Sequence, residues 1–262
     1  MIIAGNWKMN PNQAAANALL EAFAAHRNIF QPDCQALCFP PACYYAMAAQ
    51  KLAGTAMQWG AQNCHQEQAG AYTGEISAQM IADMGGRWVI IGHSERRQYF
   101  GETDNLIMEK IDAARAAGLR PILCVGEPEE VRLKGGQDDF VQGQMAASLE
   151  NIIKMSLADQ KTALEKLVIA YEPVWAIGTG KVASLQNIAE MHQGLCDKLI
   201  ALFGAALPEK NVPILYGGSV NSQNAADILA IDKVSGALVG GASLEADGFF
   251  AIYQAAIENR PN

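Results

Sequence analysis

Apolar and polar residues follow two different periods along the whole chain. Short, nearly continuous apolar runs are typical of strands that are covered on both faces. Between them lie longer segments in which apolar residues recur every three or four positions, as in the helical stripe from Ile188 to Leu202, for which Ser184 is a suitable N-cap. Gly118 closes another such segment as a helix C-terminal glycine. The predicted strands are Ile2–Asn6, Gln35–Phe39, Met57–Asn63, Trp88–Gly92, Pro121–Val125, Leu167–Tyr171, Val212–Tyr216 and Gly236–Val239.

Eight strand candidates, each followed by a helix candidate, predict a closed eight-stranded parallel (β/α)8 barrel. The length of 262 residues suits one such barrel, and no linker interrupts the chain, so we expect a single domain over residues 1–262. The alternative is an open, doubly wound α/β sheet. It is disfavoured because no G-x-G-x-x-G follows the first strand; the nearest match, Gly178-Thr179-Gly180, lies several residues beyond its strand and lacks the third glycine.

Composition, net charge and cysteine content limit the classes of protein to which the chain could belong. With 50% hydrophobic and 18% charged residues, the chain is expected to be a soluble globule without a membrane span or signal peptide, located in the cytoplasm. A formal charge of −8 argues against a nucleic-acid partner, and it requires a local positive site for any anionic substrate. The six cysteines include no C-x-x-C pair and no nearby histidine cluster, so we expect reduced, mostly buried thiols and no metal site.

Polar residues collect directly after three of the predicted strands. The first strand ends at Asn6 and is followed by Lys8; the fourth is followed by His93 and Glu95, and the sixth by Glu172. In a parallel barrel the carboxyl ends of the strands form the functional face. The pattern therefore predicts an amine, an imidazole and a carboxylate at one end of the barrel.

The seventh and eighth strands are followed by glycine-rich stretches, "LYGGSVN" and "ALVGGASL". We expect both stretches to form turns that open helices, and such turns point backbone N–H groups at an anion. A short phosphorylated metabolite would span from these glycines to the three reactive side chains. Each residue also has an ordinary structural interpretation: strand-end lysines are often solvated, and glycine pairs form tight turns. The remaining histidines, His26, His65 and His192, are assigned to structural roles, whereas the coincidence of the others at one barrel end favours function.

The stretches "AGNWKMN", "IIGHSERRQYFGETD", "ILCVGE", "AYEPVWAIGTGK", "LYGGSVN" and "ALVGGASL" resemble, in this order, the signatures of the triosephosphate isomerase family. The similarity covers essentially the whole chain. The resemblance implies a TIM barrel that interconverts dihydroxyacetone phosphate and glyceraldehyde 3-phosphate in glycolysis and gluconeogenesis. It also implies a homodimer that acts on small triose phosphates without a cofactor.

The resemblance also implies roles for individual residues. Glu172 is expected to be the base and His93 the electrophile, which acts as a neutral imidazole. Asn6 and Lys8 are expected to contact the substrate, and Glu95 matches a further active-site carboxylate of the family.

Further roles concern the loops. The family's third loop, which inserts into the partner subunit, matches Gly70–Ile76 with Thr73 near its tip. The segment after Glu172 is expected to form a lid with an apolar part, Trp175-Ala176-Ile177, between two hinges. The phosphate is expected to bind the backbone at Gly178, Ser219, Gly240 and Gly241.

Two rival functions remain at this point. A phosphosugar aldolase would need a lysine inside a late strand for a Schiff base, and none of the late strand candidates contains one. A non-catalytic phosphometabolite-binding protein would not need Glu172, His93 and Lys8 together. Both alternatives are therefore disfavoured by the residues present.

Overall fold

A computed structural model describes residues 1–177, 182–209 and 211–259 of the chain. Its strands form a closed parallel barrel in chain order, in which the eighth strand pairs with the first, so the predicted TIM barrel is confirmed. The strands are β1 Ile2–Asn6, β2 Gln35–Phe39, β3 Gln58–Ala61, β4 Trp88–Ile91, β5 Arg120–Val125, β6 Val168–Tyr171, β7 Ile214–Tyr216 and β8 Gly236–Val239.

Helices lie between the strands, as the alternating pattern predicts. Two of the described connections hold more than one α-helix: two α-helices follow β4, and four α-helices separate β5 from β6. The helices are α1 Gln13–Ala25, α2 Tyr45–Lys51, α3 Ala78–Asp83, α4 Ser94–Phe100, α5 Asp104–Ala116, α6 Glu129–Leu133, α7 Gln137–Ser148, α8 Glu150–Ile153, α9 Leu157–Leu164, α10 Leu185–Phe203, α11 Ala225–Leu229 and α12 Ala246–Glu258.

Strand ends differ from the sequence prediction by one or two residues at five strands. The apolar pattern extends β7 back to Val212, but the strand begins at Ile214. Pro213 has no N–H for the ladder, although its carbonyl still accepts a hydrogen bond from the Ile169 N–H at 2.9 Å. At β4 the predicted last residue, Gly92, has φ +72° and turns the chain out of the sheet. The apolar character of the residues alone therefore does not determine at which residue the hydrogen-bonded pairing of a strand ends.

Two apolar layers enclose the strands. Residues that point into the barrel form a small cluster of their own, and residues that point outward pack under the helices in a larger one. Four of the cysteines are buried in these layers, and all six are free, as expected. The inner cluster contains Ile2, Ala4, Leu37, Phe39, Trp88, Ile90, Ile122, Cys124, Val168, Ala170, Leu215 and Leu238.

The predicted helix ends at two places are confirmed. Ser184 caps α10 because its side chain accepts a hydrogen bond from the Asn187 N–H at 3.1 Å. Gly118 follows α5 with φ +78°, a conformation that only glycine adopts without strain. Among the described residues, no helix has the length and apolar character needed to cross a bilayer.

His192 in α10 supports a prediction about stability. It is fully buried, its Nδ1 lies 3.2 Å from the Lys233 carbonyl to which it donates, and among the described residues its Nε2 has no partner. Burial lowers the pKa of His192 from 6.5 to about 4. As the pH falls below 6.5 the unfolded chain takes up this proton first, so the folded state loses stability until the pH reaches about 4, by about 3 kcal/mol in total.

We therefore expect the free energy of unfolding to fall more steeply between pH 6.5 and pH 4 in the natural chain than in His192→Asn. Asparagine keeps a donor for the Lys233 carbonyl but does not titrate. Denaturant unfolding across this range measures the slope, which is independent of any stability lost to the smaller side chain. Equal slopes in the two proteins would contradict the prediction.

Candidate functional site

A cavity of about 360 Å³ opens at the carboxyl ends of the strands. It joins the first strand, the turn after the fourth and the loops after the seventh and eighth, although these are far apart in sequence. Its volume suits a small metabolite, and the residues of its wall carry both side-chain and backbone polar groups. Of the residues predicted from the sequence, the wall includes Asn6, Lys8, His93, Ser219, Gly240 and Gly241.

His93 lies at the point where β4 turns into α4. Its ring serves as the cap of the helix, because Nδ1 accepts a hydrogen bond from the Glu95 N–H at 3.3 Å. A ring nitrogen that accepts from an N–H carries no proton, so the hydrogen of the neutral ring is on Nε2. Nε2 lies 3.0 Å from Oε1 of Glu172, to which it donates. The turn therefore selects the tautomer that directs a proton towards the neighbouring acid.

Glu172 follows the last residue of β6 and is 1% exposed. Its N–H donates to the Val125 carbonyl at 2.8 Å, which continues the alignment of β5 with β6 beyond the ladder. Its carboxylate accepts hydrogen bonds from the N–H of Ser94 at 2.9 Å and from the Ser94 hydroxyl at 3.1 Å. A buried carboxylate is tolerated only with such donors. The carboxylate is thus held just behind the cavity wall, beside His93.

The two titratable groups shift each other's pKa. Burial raises the pKa of Glu172, but His93 and the Ser94 donors outweigh burial and lower the pKa overall. Burial lowers the pKa of His93, but the Glu172 carboxylate outweighs it and raises the pKa. Glu172 is therefore ionised at neutral pH. Its charge works against a neutral imidazole, whereas the Glu95 N–H at Nδ1 favours one.

Lys8 has an unusual backbone that is fixed from several sides. Its φ is +51°, a left-handed conformation that is uncommon for a residue with a side chain and that clusters at functional sites. The Lys8 N–H donates to Oδ1 of Asn6 at 3.0 Å, and the Lys8 carbonyl accepts from the Gln62 amide at 2.8 Å. Its ammonium lies 2.6 Å from Oε1 of Glu95. These contacts hold a positive charge at the cavity mouth.

The prediction that the glycine-rich stretches open helices is confirmed after β8 and wrong after β7. Gly240 precedes a short 3₁₀ helix, Gly241–Leu244, in which the Ser243 N–H and hydroxyl both donate to the Gly240 carbonyl. After β7, Oδ1 of Asn221 accepts from N–H groups two and three residues ahead, and α11 begins only at Ala225. The asparagine side chain captures the backbone in a local turn before the helix after β7 starts. The N–H groups beside the cavity therefore belong to a loop after β7 and to the start of a 3₁₀ helix after β8.

Comparison with known proteins is consistent with this geometry. The model of the triosephosphate isomerase family matches residues 1–256. The chain belongs to the triosephosphate isomerase family. A protein named triosephosphate isomerase from Granulibacter bethesdensis is 46% identical over 254 residues, 97% of this chain and 98% of its own. A protein of the same name from Nitrosococcus oceani is 45% identical over 255 residues, which are 97% of this chain and 98% of that protein. Another from Thermus thermophilus is 44% identical over 257 residues, which are 98% of this chain and 98% of that protein. Membership of the triosephosphate isomerase family makes the chain an isomerase.

The segment that the family resemblance marks as a lid is described up to Ile177. Trp175 donates its indole N–H to Oε1 of Glu127 at 2.7 Å, and Tyr171 donates its hydroxyl to the same oxygen at 3.1 Å. Ala176 is buried and Ile177 lines the cavity. Gly178, the predicted phosphate donor of this segment, lies outside the described residues, as do residues 179–181 of the second hinge.

The predicted dimer loop, Gly70–Ile76, is mostly exposed. Tyr72 is 45% exposed although its ring packs against that of His65 in a tilted arrangement, with the ring centroids 4.3 Å apart. Gly70 and Gly74 have φ of +144° and +94°, so the loop uses conformations that favour glycine on both sides of Thr73. Thr73 is therefore presented at an exposed tip.

Sequence reasoning assigned no role to several residues that act on the site through hydrogen bonds. Ser94 binds the Glu172 carboxylate, Gln62 binds the Lys8 carbonyl, and Glu127 binds the Trp175 indole. Ser94 and Glu127 stand inside motifs that resemble the family, but their contacts join positions 78 and 48 residues apart. Only the closed barrel brings these partners together.

Proposed function

We propose that the protein interconverts dihydroxyacetone phosphate and D-glyceraldehyde 3-phosphate through an enediolate, with Glu172 as base and neutral His93 as electrophile. The observation that supports this most is the pairing of an ionised carboxylate with an Nε2-protonated imidazole beside a cavity lined by an amine. A proton shift between adjacent carbons needs a base over the carbon and donors at the oxygens. These are the groups present.

In the proposed reaction Glu172 removes a proton from one carbon, and the electron pair moves to the carbonyl oxygen. His93 stabilises that oxygen through its Nε2 hydrogen, and the proton returns to the neighbouring carbon. Glu172 is buried in the described arrangement, so its carboxylate must leave Ser94 and turn to the cavity. Gly217 leaves room for this, because a Cβ there would lie 2.9 Å from the Cγ of Glu172.

We assign substrate binding to the residues of the cavity wall. Lys8 supplies positive charge where the enediolate develops negative charge, and Asn6 contacts the substrate beside it. Glu95, which pairs with Lys8 at 2.6 Å, orients the ammonium. The phosphate is assigned to the loops of Ser219, Gly240 and Gly241, together with Gly178. In a chain of net charge −8 these groups are needed to attract a dianionic substrate.

We also propose that the segment after Glu172 acts as a lid. The hydrogen bond from Trp175 to Glu127 would hold it in one position, and apolar Ile177 at the cavity wall would help to exclude water. Exclusion of water would keep the enediolate from losing its phosphate.

A coupled assay of isomerisation in both directions tests the proposed function. Turnover without added metal or cofactor is the expected result, and binding of triose phosphates without turnover would overturn the proposal. An aldolase would instead leave a borohydride-trapped adduct on a lysine. The described strands β6, β7 and β8 contain no lysine, so no adduct is expected.

We propose that the protein functions in the cytoplasm, in glycolysis and gluconeogenesis, as a homodimer of chains whose residues 1–262 form one catalytic domain. Sedimentation at micromolar concentration is expected to show roughly twice 28.1 kDa. Thr73→Arg places a charge at the tip of the exposed loop and should raise the monomer fraction, because a buried unpaired charge opposes association. Thr162→Arg, on the exposed face of α9, is the control. An active monomer in the natural chain would contradict the homodimer.

A further inference from the structure

Arg97 in α4 links the end of β4, which carries His93, to β5, the strand that pairs with β6 and Glu172. Its Nε donates to the Gly92 carbonyl at 2.8 Å, and its Nη2 donates to the Cys124 carbonyl at 3.1 Å. Its Nη1 pairs with Asp104 at 2.5 Å. The side chain is 14% exposed. Its guanidinium is thus committed to two backbone carbonyls and one carboxylate.

The two carbonyls lie next to the residues that place the catalytic pair. Gly92 directly precedes His93, and Cys124 directly precedes Val125, whose carbonyl accepts the Glu172 N–H at 2.8 Å. The ladder between β4 and β5 ends at Ile91 and Leu123. Arg97 therefore continues the link between these strands one residue beyond the last backbone pair.

The close packing around this link makes its geometry specific. Gly92 has φ +72°, and a Cβ there would lie 3.2 Å from the Arg97 Nη2 and 3.3 Å from the Cys124 carbonyl oxygen. The planar fork of a guanidinium reaches both carbonyls at once, which a lysine ammonium cannot do in the same geometry. On the other side of Cys124, its buried thiol lies against Glu172, whose charge raises the pKa of the thiol in addition to burial.

We propose that Arg97 is a positioning residue for the isomerisation: it bridges the Gly92 and Cys124 carbonyls and so sets the separation of His93 from Glu172. Among the described residues, Arg97 is not part of the cavity wall, and its hydrogen bonds involve neither Lys8 nor the loops of Ser219, Gly240 and Gly241. It therefore acts on the relative position of the base and the electrophile and leaves substrate capture to other residues. The inference rests on the proposed roles of His93 and Glu172.

Arg97→Lys in the full chain tests the bridge, since it keeps the positive charge for Asp104 but loses the fork. We expect kcat to fall roughly tenfold or more, because displacement of a catalytic group by about 1 Å can cost on the order of a hundredfold. KM should change little, because the proposed phosphate contacts are untouched. The NMR signal of the His93 Nε2 hydrogen should shift or broaden as its distance from Glu172 changes.

Two variants distinguish the effect of losing the bridge between the carbonyls from a general loss of stability. Asp104→Asn keeps both carbonyl contacts and removes only the charge of the partner, so kcat should stay near the natural value. Arg115→Lys weakens an ion pair with Asp112 on α5, remote from both carbonyls, and is the control for losing an arginine. If Arg97→Lys does not fold, Arg97→Gln, which retains a planar donor, replaces it.

The proposal is overturned if a folded Arg97 variant keeps kcat within about twofold, or if Asp104→Asn lowers kcat as much as Arg97→Lys. Failure of both Arg97 variants to fold would also overturn it, because Arg97 would then serve the fold and not the pair. If the natural chain lacks isomerase activity, the proposed function fails instead. The His93 signal still tests the bridge in that case, since it depends on the hydrogen bond and not on turnover.

Discussion

Glu172→Asp is expected to lower turnover by on the order of a hundredfold while the barrel stays folded. Loss of one methylene withdraws the carboxylate by about 1 Å from any substrate carbon in the cavity. It also moves the acid away from the two Ser94 donors, at 2.9 and 3.1 Å, and from the Nε2 of His93 at 3.0 Å. The shorter acid remains ionised at neutral pH, so the expected loss comes from position and not from charge.

Two further variants are compared with Glu172→Asp. Glu172→Gln has nearly the volume of glutamate and accepts from Ser94, but it is not a base at neutral pH, so its turnover should fall further than that of the aspartate variant. Glu190→Asp, an exposed position on α10, is the matched control for the loss of one methylene. Circular dichroism and thermal unfolding establish that each variant is folded before its kinetics are compared.

Steady-state kinetics of the folded variants decide the role of Glu172. A kcat within about twofold of the natural value in Glu172→Asp would show that Glu172 is not the base. A fall in kcat with KM nearly unchanged is the result expected for a group that acts in the transition state.

The sequence carried more information about the architecture than about the hydrogen bonds that complete the site. Continuous apolar runs predict the eight strands because both faces of each strand are covered, and β1, β2 and β8 begin and end where the pattern predicts. β7 is shorter because the absence of an N–H at Pro213 is a property of one atom and not of hydropathy.

The functional site also has a part that the sequence predicts and a part that it does not. The positions of Lys8, His93 and Glu172 at one end follow from the strand order alone, because parallel strands of a barrel end on one face. The partners Ser94, Gln62 and Arg97 could not be predicted, since each binds a residue or carbonyl on another strand or turn. The helix-opening role of the glycine pair after β7 was wrong, because Asn221 captures the backbone in a local turn, whereas the pair after β8 opens only a short 3₁₀ helix, Gly241–Leu244.

Lys8→Met is expected to weaken both turnover and binding of a phosphorylated enediolate mimic by on the order of a hundredfold or more, the usual cost of removing one preorganised electrostatic contact. Methionine has an unbranched stem like lysine, so the strain of φ +51° is about the same in both proteins. The backbone contacts of residue 8 with Asn6 and Gln62 also remain. What is lost is the charge.

The loss also releases Glu95, which lies 2.6 Å from the Lys8 ammonium and would then repel an anion. A second variant, Lys8→Met combined with Glu95→Gln, separates the two effects. If repulsion contributes, binding of the mimic should recover in part, whereas turnover should stay low because no cation faces the developing enediolate.

Lys51→Met is the matched control, since Lys51 forms a surface ion pair with Glu21 at 2.7 Å and removing it changes the net charge by the same amount. Its affinity for the mimic should remain close to that of the natural chain, because exposed charges farther away than about 8 Å are largely screened at physiological ionic strength. Calorimetric titration of the natural chain and the three variants measures the affinities directly. Equal affinity in Lys8→Met and Lys51→Met would mean that Lys8 acts only through net charge, and its left-handed backbone would then need another explanation.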